Sequence, residues 1–256
     1  MPLPATLAAL DELKALLDSH RPLSGATNRN LREDLALRWT YHSNAIEGNT
    51  LTLLETKVVL EGITVCGKSM HEQLEATNHF AAIDYVEEII SREEPFSSWQ
   101  IRNIHQLVLN AIDNDNAGRW RTINVTISGA QHRPPSHTRI PELIDRFIDW
   151  VEGPGRELHP VERAALVHAE FVGIHPFADC NGRTSRLLMN LELMKAGFPP
   201  CIITVENRLA YYQALDDLHT RGKQQAFIEL VCEAVQLAFE PYWHALDIQP
   251  GSTSDL

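Results

Sequence analysis

Twelve consecutive residues, His175-Pro176-Phe177-Ala178-Asp179-Cys180-Asn181-Gly182-Arg183-Thr184-Ser185-Arg186, gather a proton acceptor, a hard-metal ligand, a glycine turn and two guanidinium groups. An imidazole titrates near neutrality, which suits His175 to taking a proton from an attacking hydroxyl. Asp179 supplies the carboxylate that a nucleotide-bound Mg2+ accepts among its few protein ligands. Pro176 forbids continuation of the preceding helix, and a new helix begins near Asn181-Gly182. The loop between them therefore faces the positive end of a helix, where unpaired N–H groups can hold phosphate oxygens. Gly182 permits close backbone approach. Arg183 and Arg186 are neighbours at i,i+3, so their forks can converge on one polyphosphate. Singly, such an Asp caps a helix, an arginine lies on the surface and a His fills a gap. Together they point to phosphate transfer. The other His–Pro pair, His159-Pro160, has no such company and reads as a helix start.

The elements that must position this segment are helical. Leu7, Leu10, Leu13, Leu16 and Leu17 mark a first amphipathic helix ended by Arg21-Pro22. A second opens at Leu31, Leu35, Leu37 and Trp39 and runs to about Ile46, stopped by Gly48. Thr52-Leu53-Leu54-Glu55 is a capping box that starts a third. Further helices are expected from about Ser69 to Ile90, Ser97 to Ile112, Pro141 to Val151 and His159 to Ile174. Leu187, Leu188, Leu191 and Met194 give another, ended by Gly197, and the last two run near Asn207 to Leu218 and Gln225 to Phe239. The pattern breaks once: Ile123-Asn124-Val125-Thr126-Ile127-Ser128 alternates apolar and polar before Gly129, predicting a small hairpin that Pro134-Pro135 cuts short. The expected fold is one all-α domain with a β-hairpin flap and a disordered tail over 246–256.

The segment 175–186 resembles the signature of the Fic family, HxFx(D/E)GNGRxxR. The resemblance runs from about Ser43 to Phe239 and takes in Gly118-Arg119-Trp120-Arg121 and Ala196-Gly197-Phe198-Pro199-Pro200. It implies a Fic core over 61–245, preceded by N-terminal helices over 1–60, and transfer of AMP from ATP to a hydroxyl of a target protein. On the same resemblance His175 is the general base and Asp179 the Mg2+ ligand. Asn181, Gly182 and Arg183 line an anion hole, and Arg186 holds the γ-phosphate. Tyr211 and Tyr212 lie beside adenine, His219 is a further adenine contact, and Ser128, Gly129, Ala130 and Gln131 lie near the nucleotide. Cys180 stands where Gly is usual; a positive φ there costs a cysteine about 1 kcal/mol. The flap, near 123–133, would dock the protein substrate through main-chain hydrogen bonds.

Ser43-Asn44-Ala45-Ile46-Glu47-Gly48-Asn49 is similar to the inhibitory motif (S/T)xxxE(G/N), placed before the signature as in class II members. Physically, Glu47 on a last helical turn can reach a guanidinium such as Arg186 and occupy the arginine that ATP needs, with Ser43 and Gly48 framing it. The implied activity is an autoinhibited adenylyltransferase. A hydrolytic deAMPylase using the same site and a nonenzymatic nucleotide-sensing or antitoxin-like module are the competing readings. Related proteins suggest a homodimer.

Composition bounds the remainder. The 256 residues carry a formal charge of −12, which argues against nonspecific binding to nucleic acid or an anionic membrane. Cys66, Cys180, Cys201 and Cys232 show no metal-ligand spacing and read as reduced thiols. Without a signal-peptide pattern at Met1-Pro2-Leu3-Pro4 or a run of about 20 apolar residues, a soluble cytoplasmic protein is the expectation.

Overall fold

A pair of antiparallel helices joined by the loop 175–180 lies at the centre of the molecule. In the computed structural model, which describes residues 3–249, these are α7 (Pro160–Ile174) and α8 (Asn181–Lys195). Around them stand α1 (Leu3–Ser19), α2 (Gly25–Ile46), α3 (Leu53–Leu60), α4 (Met70–Ser91), α5 (Ser98–Val108), α6 (Ile140–Glu152), α9 (Arg208–Arg221), α10 (Gln225–Leu237) and α11 (Glu240–Leu246). Pro160 occupies the first turn of α7, where a missing N–H is harmless, and the His159 ring accepts the N–H of Val161. His159-Pro160 is thus the helix start that its sequence suggests. The capping box at Thr52 and Glu55 opens α3, and a second, Ser69 with Glu72, opens α4.

Helix α8 is buried on every side, as a central helix must be. Met189 and Leu193 face a cluster with Leu10 and Leu17 of α1, Val161 and Ala165 of α7, and Phe227 and Val231 of α10. Leu187, Leu188 and Leu191 face a second cluster with Val86 and Ile89 of α4, Ile101 and Ile104 of α5, Phe147 of α6, and Phe171 of α7. Helix α2 buries Leu31, Leu35, Trp39, Ser43 and Ile46, a stripe at near-i,i+4 spacing that carries its C-terminal end onto α8.

Several expectations are corrected. No strand occurs among the described residues, and the segment 123–133 is a loop. Its one regular feature is a type II turn: Ala130 N donates to Ile127 O at 3.3 Å, with Gly129 at φ +80°. A lone two-stranded ribbon is marginal in water, and Pro134-Pro135 withhold two donors. Arg121 takes the carbonyls of Ile123 and Pro135 that a ladder would have used. Helix α2 starts at Gly25, behind an N-cap Ser24, earlier than its apolar stripe suggests. Helix α5 stops at Val108, and Ala111 turns to positive φ where the pattern ran on to Ile112. Helix α11 was not anticipated; its Pro241 sits in the first turn, where a proline is tolerated. The expected disordered tail lies, from position 250 onward, outside the described residues.

Cys66 is exposed, whereas Cys180, Cys201 and Cys232 are buried. No helix among the described residues is long and apolar enough to cross a membrane.

Candidate active site

The loop 175–180 is set by its own backbone. His175 ends α7 in the left-handed conformation at φ 52°, its N–H bonded to Phe171 O at 3.1 Å. Its Nδ1 lies 3.1 Å from Val172 O, so Nδ1 carries the hydrogen and donates it, leaving the lone pair on Nε2. Burial pushes the His175 pKa below the usual imidazole value; the Val172 bond opposes this, and Arg121 and His132 reinforce it. Asn181, at the start of α8, accepts from Phe177 N at 2.9 Å and donates to Phe177 O at 3.0 Å, locking the loop from within. Asp179 is exposed, and its Oδ1 accepts from Cys180 N at 2.6 Å.

Two buried side chains that sequence reasoning did not place in the site brace this loop. Arg121 donates from its backbone N to Pro176 O at 2.9 Å and from Nε to His175 O at 2.8 Å. The tract Gly118-Arg119-Trp120-Arg121 held the signal for it. His105 stacks on Phe177 at 3.5 Å between ring centroids. Its Nδ1 accepts from Gly118 N at 3.0 Å, so Nε2–H donates to Asp179 O at 3.2 Å. Burial pushes its pKa down to about 4, which keeps the ring neutral and this tautomer fixed. Nothing in the pattern of α5 distinguishes His105 from a core residue.

Arg183 and Arg186 do not converge. Arg183 is buried and donates from Nη1 to Glu75 Oε1 on α4 at 2.6 Å and from Nη2 to Cys180 Sγ at 2.9 Å. Cys180 takes positive φ, 58°, the strained case for a residue standing at a glycine position. Burial pushes its thiol up to about 12, so it stays protonated beside the guanidinium. Arg186, 2% exposed, donates to Ser43 Oγ at 3.0 Å, Ser43 O at 2.8 Å, Tyr211 OH at 3.2 Å and Glu47 Oε1 at 2.7 Å. The Glu47 pair uses one carboxylate oxygen. Burial works against the charge of Arg186, and the Tyr211 oxygen and Glu47 more than offset it. A Cβ on Gly182 would collide with Glu47 Oε1, so the missing side chain makes the seat that the carboxylate occupies. That seat lies at the first turn of α8, whose N-cap residue makes no side-chain capping bond. An anion fits there, and the same cradle suits a phosphate oxygen.

The two tyrosines part company. Tyr211 is 1% exposed, its OH between Arg186 Nη1 and His168 Nε2, so it packs in the core and presents no face for stacking. Tyr212 is 40% exposed and donates to Ile46 O at 3.2 Å, the last carbonyl of α2. His219 donates from Nε2 to Ala169 O at 2.9 Å, and its ring lies against His132. Ser128 and Gly129 are exposed and Ala130 half-buried in the turn described above, while Gln131 N bonds Asp216 Oδ1 on α9. Gly48, just past Glu47, takes φ +99° and lets the chain leave α2.

The profile of the Fic/DOC family matches residues 95–193. The solved Fic-1 (residues 134–508) of C. elegans superposes with a TM-score of 0.86 at 31% identity, covering 94% of this chain and 72% of that one. The chain belongs to the Fic/DOC family. Protein adenylyltransferase Fic of Drosophila willistoni is 36% identical over 252 residues, which is 98% of this chain and 48% of that protein. The protein of the same name from Nematostella vectensis is 40% identical over 213 residues, 82% of this chain and 49% of that protein. The chain thus spans about half the length of the curated relatives it matches. In this Fic protein Glu47, Arg186 and Gly182 meet at one point.

The buried Arg183–Glu75 pair gives the first prediction. Removing the carboxylate strands a guanidinium in the interior, so Glu75→Ala is expected to destabilise the fold by about 3–5 kcal/mol. Urea unfolding of the variant against the wild type measures it, and a loss under about 1 kcal/mol would contradict the pairing.

Proposed function

We propose that the chain is a protein adenylyltransferase, and that Glu47 holds it inactive. The observation that carries this reading is the seat of Glu47: its carboxylate lies on Arg186 and over Gly182, at the uncapped start of α8. A nucleotide polyphosphate needs that same positive ground. The names of the relatives support the reaction type.

The hydroxyl of a target Ser, Thr or Tyr attacks the α-phosphate of ATP. A new O–P bond forms, the bond to pyrophosphate breaks, and the hydroxyl proton passes to His175 Nε2, the nitrogen that the Val172 bond leaves unprotonated. Among the described residues no three acid, His or Cys side chains gather to hold a metal. Asp179 fits a metal that arrives already bound to phosphates, since it is exposed and lies in the same loop as the base. Mg2+ held there would supply neutralisation of the phosphate charge and stabilisation of the leaving pyrophosphate. The first N–H groups of α8 and the guanidinium of Arg186, once Glu47 has moved, bind and orient the phosphates. Buried Arg183 holds the loop and α4 together. Tyr212 is the aromatic face beside the adenine, and the loop 123–133 receives the protein substrate.

Glu47→Gly is expected to raise incorporation of α-32P from ATP into the chain or its targets by about tenfold or more, roughly 1.4 kcal/mol of differential binding. Arg186→Ala in that background cancels the gain. Equal labelling by wild type and Glu47→Gly would remove the autoinhibition and leave the transfer reaction standing. In the Glu47→Gly background His175→Ala is expected to lower the transfer rate by about 10²–10⁴-fold with the KM for ATP little changed. The base works only when deprotonated, and burial lowers its pKa from 6.5. The midpoint of the acid limb of the pH–rate profile should therefore lie below 6.5. A midpoint above 6.5 in the pH–rate profile would contradict the assignment. Asp179→Ala abolishes Mg2+-dependent transfer; normal activity with the same Mg2+ requirement would place the metal ligand elsewhere.

A further inference from the structure

A segment that receives a protein substrate has to be held at a fixed height over the base, and the loop 123–133 has no strand partner to hold it. Its hold comes from elsewhere. Asp216, in the middle of α9, turns one carboxylate oxygen to two consecutive backbone donors of the loop. Oδ1 accepts from Gln131 N at 2.9 Å and from His132 N at 2.9 Å. Two successive N–H groups aimed at one anion is a small nest, filled here from within the chain.

The next tie is the His132 ring. Its Nε2 lies 2.9 Å from Gly173 O, and a carbonyl only accepts, so Nε2–H donates. Gly173 stands two residues before His175 on α7. The loop is therefore fastened to the turn that presents the base. The His132 ring also rests on His219, with centroids 4.5 Å apart. His219 fills the space beside Gly173 so closely that a Cβ there would lie 2.7 Å from its Nε2. Burial pushes the His219 pKa down, with the Ala169 bond and Asp216 opposing and His132 adding to the fall. Asp216 thus holds the two loop amides and acts electrostatically on His219, against which the His132 ring rests.

We propose that Asp216 is a positioning residue: it clamps the return limb of the loop 123–133 to α9 and so sets the distance between a docked hydroxyl and His175. The clamp itself stands on geometry alone, and only its effect on transfer rests on the adenylyltransferase reading. Asp216 touches neither the reacting hydroxyl nor the phosphates in this role. It acts through the backbone of Gln131 and His132. His132 is the second fastening and Gly173 its anchor, which ties loop position to the end of α7.

Amide hydrogen exchange on the full chain tests the clamp without reference to activity. In Asp216→Ala the amides of Gln131 and His132 are expected to exchange about tenfold faster or more, because both lose their acceptor. Asp216→Asn keeps an Oδ1 acceptor and should stay within about threefold of wild type. In the Glu47→Gly background, Asp216→Ala should lower label incorporation at saturating ATP by about tenfold, with the KM for ATP within about twofold and most of the rate restored in Asp216→Asn. Unchanged exchange at both amides in Asp216→Ala, or exchange in Asp216→Asn as fast as in Asp216→Ala, would overturn the clamp. A rise in the KM for ATP that accounts for the lost rate would assign Asp216 to the nucleotide and overturn it equally. If Glu47→Gly labels no protein, the transferase reading falls, and the exchange measurement still judges Asp216.

Discussion

A guanidinium taken out of water must be surrounded by acceptors, and this molecule is arranged around one such group. Arg186 draws its acceptors from the end of α2, far back in the chain, and from α9, the helix that follows α8. Burying an unpaired charge is far more costly than any single packing contact here, so the three helices can come together only in a register that gives Arg186 its oxygens. The same constraint finishes α2. Ser43 O is taken by Arg186, Asn44 O by the N–H groups of Glu47 and Asn49, Ala45 O by Gly48, and Ile46 O by Tyr212. A helix end that lies in the interior has no water to answer its carbonyls, and this accounting closes.

Glu47 sits at the negative end of α2, where a carboxylate is disfavoured by about 0.3–1 kcal/mol. It sits also at the positive end of α8, where it is favoured. Arg186 makes the second position win. The arrangement is a balance between two helix ends with one anion between them, and the glutamate side chain is still 30% exposed. A competing anion displaces it only by binding the vacated state better than the filled one. Phosphate groups, with more charge and more acceptor oxygens than a carboxylate, have the chemistry for it.

The loop between α7 and α8 was legible because its residues are constrained by chemistry that shows in type and spacing. Pro176 had to end a helix, Gly182 had to be bare, and Glu47 had to lie near a helix end. Arg183 was less so. Its spacing from Arg186 suggested a shared target, but Glu75 lies 108 residues away in sequence and carries no local mark. The Tyr211-Tyr212 pair looked alike as letters; on a helix, adjacent residues point about 100° apart, and the core claimed one of them. The alternation of 123–128 was a true period-2 pattern without a neighbouring strand to use it. Arg121 and Asp216 supply by side chain what a sheet would have supplied by backbone.

The thiols differ as sharply in reactivity as in position. Burial pushes Cys180 and Cys201 up to about 12 and Cys232 up to about 11. A maleimide or iodoacetamide reagent attacks thiolate, and at neutral pH these three hold almost none. Cys66 is exposed on the link between α3 and α4, which Lys68 ties to Thr50 O, three residues past Glu47. The unaltered chain therefore carries a selective attachment point for a fluorophore or spin label. A dye placed there reports on that link through a change in its own surroundings, with no cysteine to be engineered in or out.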